Sequence, residues 1–143
     1  MEIGLAASVI QVAGAGLKLS ETLYKYAESV ASADKRLRDV AQHVKLTSSI
    51  VQELGTVFSQ EGAAKVISAN AISTAEEMLK ECSNLFAEMQ SMVDKSKKGT
   101  LGRWMLPFKE PRLDLLKANL EKLRSTLQLL MLVLTHAQVV ANG

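Results

Sequence analysis

Apolar residues recur every three or four positions in four separate stretches, which predicts four amphipathic helices. The clearest stretch runs through Leu113, Leu116, Leu120, Leu123, Leu127, Leu130 and Leu134, with Lys117, Glu121, Lys122 and Arg124 off the stripe. Toward its end Leu129, Met131, Leu132 and Val133 widen the apolar face, so the second half of this helix is expected to be the more completely buried one. Pro111 suits its first turn, where a missing N–H is no loss. The third stretch reads Ile72, Ala75, Leu79, Cys82, Phe86, Met89, Val93, with Glu76, Glu77, Lys80, Glu81 and Glu88 on the wet side. Its start stays open, because residues 63–71 also favour helix. The second reads Leu37, Val40, Val44, Thr47, Val51, Leu54, Phe58, with Asp34 as an N-cap and Gly55 or Gly62 as terminators. The first reads Ile3, Ala6, Ile10, Ala13, Leu17, Ser20, Tyr24, Ala27. Gly14 and Gly16 interrupt it, which predicts a kink or a close backbone approach there.

Short links at residues 32–34 and 59–62 join the first three helices. The expected fold is therefore all-α: an up-down bundle of four main helices, with room for an extra short one, in a single domain over residues 1–143. Composition agrees, since aromatics make up only 4% and the two prolines, Pro107 and Pro111, fall in one short stretch.

The first helix is unusual. From Ile3 to Leu17 it carries no charge, whereas a surface helix normally shows water a charged face. It lacks the positive start of a secretory signal and the arginines of a mitochondrial presequence. Its fifteen residues reach about 22 Å, short of a hydrocarbon core of about 30 Å. Two readings stay open. In one, the helix is small on every side so that neighbours pack tightly around it in the core. In the other, Ile3, Leu5, Val9, Ile10, Val12 and Leu17 enter a membrane under some trigger, from a chain made and kept in the cytoplasm until then.

The last connector, Lys95 to Arg112, holds six basic residues against one acid. Lys95, Lys97, Lys98, Arg103, Lys109 and Arg112 could meet anionic headgroups, or form a solvated loop. Trp104 and Phe108 beside them suit either a membrane interface or a plug at one end of the bundle. A net charge of +2 is too small to argue for nucleic acid. Cys82 is the sole cysteine and lies on an apolar stripe, so an inert core thiol and a reducing compartment are expected. His43 and His136 lie on different helices without ligand spacing. There is no glycine-rich phosphate loop and no nucleophile motif. No catalytic, cofactor or metal site is expected, and no enzyme activity.

The stretch from Gly4 to Gly55, with its words Leu-Tyr-Lys-Tyr-Ala (Leu23 to Ala27) and Val-Lys-Leu-Thr-Ser-Ser (Val44 to Ser49), resembles the HeLo-like N-terminal domain that heads fungal STAND or NLR-type receptors. The ending from Trp104 to Ala137 resembles the same family, although Met105 and Leu106 stand between Trp104 and Pro107. The resemblance implies a cell-death effector of fungal innate immunity or heterokaryon incompatibility. It would oligomerise with copies of itself when an upstream receptor or amyloid template clusters it, then move to an anionic plasma membrane through its first helix. The rival reading is a non-lytic adaptor that recruits partners by homotypic contact.

Overall fold

The computed structural model describes residues 2–29, 35–59, 68–98 and 110–142. They form four long helices: α1 (Glu2–Ser29), α2 (Lys35–Ser59), α3 (Ala69–Lys98) and α4 (Glu110–Asn142). The bundle is all-helical, as the periodicity requires, and α3 and α4 are the longest at 30 and 33 residues.

Local chemistry explains the boundaries. Ser68 caps α3: its Oγ accepts from the Ala71 N–H at 3.1 Å, and its carbonyl accepts the Ile72 N–H. Pro111 falls in the first turn of α4, where it was expected. Gly55 does not end α2, which continues to Ser59. Its missing side chain instead makes room for Val9, because a Cβ there would stand 2.5 Å from Val9 Cγ1. Asp34 and Gly62 lie outside the described residues.

The helices alternate in direction, but their neighbours do not follow chain order. α1 pairs antiparallel with α2, where Val9 meets Gly55 and Ser20 Oγ donates to the Ala41 carbonyl at 3.0 Å. α3 runs antiparallel to α4, with Glu88 beside Arg112 at one end and Met78 near Thr126 further down. α1 also packs on α3, and α2 on α4. The ring therefore runs α1, α2, α4, α3, and α2 and α3, consecutive in the chain, stand on its diagonal. A three-and-four spacing marks which face is buried and is silent about which neighbour covers it.

The stripes of α2, α3 and α4 are buried nearly as read. Leu37, Val40, Val44, Thr47, Val51, Leu54 and Phe58 are buried on α2, Ala75 to Val93 on α3 and Leu113 to Leu134 on α4. Thr47 and Ser48 enter this core without leaving a bare hydroxyl. Each donates to the carbonyl four residues back, His43 and Val44, at 2.8 Å.

Two readings need correction. The buried face of α1 is Leu5, Val9, Val12, Ala13, Leu19, Leu23 and Tyr26, rotated from the stripe read through Ile10, Leu17 and Tyr24. Ile10 is 73% exposed, and Leu17 and Tyr24 are half-buried. Between Glu2 and Lys18 there is no charge, so no local signal marks the wet side of that stretch. The helix runs on through Gly14 and Gly16, and of the two alternatives expected there it is the close approach, at Gly16, that is found. The second correction concerns α4. Its last half is not the better-buried half: Leu129, Leu132 and Val133 face solvent, and only Met131 is half-buried.

Candidate functional site

The residues expected to meet a membrane fall into two sets with different placements. On α1, Leu5, Val9 and Val12 point into the core, against α2 and α3. Ile10 points outward and Leu17 sits at the edge, while Ile3 lies in the first turn. The helix is thus neither buried all round nor free. One side is stored in the bundle. The other, formed by Ala7, Ser8, Ile10, Gln11, Gly14 and Ala15, faces solvent without a single formal charge.

Close contact holds the stored side. Gly16 lies where α1, α2 and α3 meet, against Ser48 and the Phe86 ring. Ser20 adds the inter-helix hydrogen bond to Ala41, and both residues are buried. Gly14, two residues earlier, is open, with nothing within 4 Å of its Cβ position.

The basic connector is shorter than the sequence suggests. α3 continues through Lys95, Lys97 and Lys98, and Arg112 lies in the first turn of α4. The Arg112 guanidinium is ion-paired with Glu88 across α3 and α4, so its charge is already engaged within the bundle. Both partners are part-exposed, so the pair adds little stability. Arg103, Trp104, Phe108 and Lys109 lie outside the described residues.

A polar cluster that the sequence did not reveal joins α2 to α4. Arg124 Nη1 donates to His43 Nδ1 at 2.9 Å, and His43 Nε2 stands 3.7 Å from Glu121 Oε1. An arginine can only donate, so Nδ1 accepts and the imidazole proton sits on Nε2, toward Glu121. Burial first, and the Arg124 charge second, hold the His43 pKa below its ordinary 6.5, against the pull of Glu121. The neutral ring is therefore an inter-helix contact. His43 and Arg124 stand 81 positions apart in the chain, and no local spacing could have found them.

Cys82 is buried, as expected. Burial, and then the neighbouring Glu81 carboxylate, push its thiol up to about 12. Among the described residues no group of three or more His, Cys, Asp or Glu could hold a metal ion. Among the same residues no helix is long and apolar enough to cross a membrane. No family model matches the chain, and no curated protein or solved structure matches it either.

Proposed function

We propose that this chain is a helical signalling module of the fungal cell-death type, whose first helix is stored in the bundle and released toward a membrane when copies are clustered. The observation that supports this most directly is the charge-free length of α1. Its outer face from Ala7 to Ala15 already lacks charge, and its inner face is Leu5, Val9 and Val12. Once detached, this segment would present no charge on any side between Ile3 and Leu17. The resemblance to HeLo-like domains supports the same reading.

Energetics argue for a trigger. Each of Leu5, Val9, Val12, Leu19 and Leu23 is buried, and exposing such a side chain costs about 1.5–3 kcal/mol. Freeing them all costs roughly 8–15 kcal/mol, comparable to the whole stability of a typical domain. Spontaneous release is therefore negligible. A lipid surface that accepts the freed face, together with the high effective concentration of clustered copies, would have to offset it. The segment is too short to span a bilayer alone and carries none of the Lys or Arg of an interfacial helix, so entry would be shared among several copies.

The test uses residues that the resting bundle does not need. A charge at the centre of a lipid-embedded helix costs about 2.5–3.5 kcal/mol on insertion scales. Ala7→Glu and Ile10→Glu place that charge on the exposed side, so folding should survive. Leakage of anionic vesicles should drop sharply, and so should killing of fungal cells expressing the domain fused to an oligomeriser. A charged variant that melts like the parent and still kills would remove the membrane step. The homotypic adaptor would then lead, a reading that the exposed apolar face of α4 favours.

A further inference from the structure

We infer that the outer face of the last three turns of α4 is a self-association surface, and that it takes the same face of a second copy of this chain across a two-fold axis. Leu129, Leu132, Val133, Val139 and Val140 are each between 56% and 68% exposed. They recur with helical spacing on the side away from the core residues Leu127, Leu130 and Leu134. A helix with apolar stripes on two opposite sides is built to lie between two partners. The bundle covers one of them.

Charge points to a copy of itself as the second partner. In a two-fold contact every side chain near the axis meets its own image, so a self-complementary face must avoid concentrated charge. From Ser125 to Asn142 there is no Asp, Glu, Lys or Arg. The first half of the same helix carries Asp114, Lys117, Glu121, Lys122 and Arg124. The change comes where the exposed apolar stripe begins. A lipid surface fits less well, because helices that lie on anionic membranes flank the apolar face with Lys or Arg, and this segment has none.

Size agrees. The five side chains expose on the order of 500–600 Å² of apolar surface, the upper end of what a typical monomer leaves open. That is most of the core of a standard interface, which covers about 800 Å² per partner. A groove of about 340 Å³ continues the face toward α3, lined by Ala71, Thr74, Thr126, Leu129 and Val133 among others. It offers a hole for a leucine of the opposing helix. The inference rests on reading the chain as a self-associating module, and is independent of the membrane step.

Sedimentation velocity of the full chain in lipid-free buffer, from low micromolar to several hundred micromolar, tests it. The parent should sediment as a dimer. Leu132→Glu combined with Val139→Glu should weaken the dimer by roughly a hundredfold or more, with circular dichroism and thermal midpoint preserved, since neither side chain is part of the core. Leu115→Glu, exposed on the same side of the helix but about four turns before the patch, should leave the dimer intact. A parent that stays monomeric throughout, or a double variant that dimerises like the parent, overturns the inference. So does a monomeric parent whose vesicle binding is abolished by the double variant, which would make the face a lipid contact. Ile10→Glu separates the two proposals: lost leakage from an intact dimer supports both. Unchanged leakage from an intact dimer removes only the membrane step.

Discussion

Gly16 and Ser48 approach so closely across the α1–α2 contact that a Cβ on Gly16 would stand 1.9 Å from Ser48 Oγ. The same Cβ would lie 2.7 Å from the Phe86 ring, so moving the hydroxyl alone does not relieve it. Gly14, on the outer side of the same helix, meets nothing within 4 Å. Two chemically identical substitutions should therefore differ in sign. Gly14→Ala should stabilise by about 1 kcal/mol through helix propensity. Gly16→Ala gains the same propensity but forces the three helices apart, and overpacking typically costs about 1–3 kcal/mol. Its net effect should lie between neutral and a loss of about 2 kcal/mol. Urea denaturation of both variants reads the difference, and equal stabilisation would show that α1 does not sit this close to α2 and α3.

The pairing of Arg124 with His43 predicts a pH dependence with a definite sign. The folded state holds the His43 pKa below 6.5, through burial and the Arg124 charge. The unfolded chain therefore binds the proton more readily. This contribution to stability is complete above about pH 6.5 and is lost as the pH falls from there toward the folded pKa. The groups that set it are Arg124, Glu121 and Lys117 on α4 and Asp39 on α2. Comparing urea stability at several pH values between the parent and His43→Gln isolates the effect from His136. A slope below neutrality that is the same in both proteins would mean that His43 does not couple to folding.

Cys82 should be silent toward thiol reagents in the native state. It is buried and its thiol is raised to about 12. At pH 8 almost none of it is thiolate. Labelling by an aromatic disulfide should then track global unfolding across a urea series. Rapid labelling in native buffer would place Cys82 in a segment that opens locally.

α2, α3 and the first half of α4 were legible down to single buried residues because each carries charges that mark its wet side. On α3, Glu76, Glu77, Lys80 and Glu81 leave Leu79, Cys82 and Phe86 only one direction to face. α1 has no such marker between Glu2 and Lys18, so the spacing there puts Ile10 inside although it faces solvent. α4 failed in the opposite way. Its second half is apolar on both sides, and a periodicity that puts Leu130 and Leu134 on the buried stripe cannot say that Leu129, Leu132 and Val133 stay uncovered. The caps and breakers were legible in part. Pro111 took its expected place, whereas the start of α3, left open by the sequence, is Ala69 behind the cap Ser68, and Gly55 proved to be a packing site inside α2.

The sequence by itself determined that this chain is a set of four long helices, and which faces of α2, α3 and α4 are buried. Those are local consequences of spacing and of where charge is tolerated. Only the tertiary structure decided which helices touch, because burial of a stripe is satisfied equally well by any apolar neighbour. The ring order, the contact of Gly16 with Ser48, the union of His43 with Arg124 and the open outer face of α4 all depend on that choice. Each joins positions far apart in the chain, or leaves one without a partner, and the spacing of residues along a single helix contains no information about either.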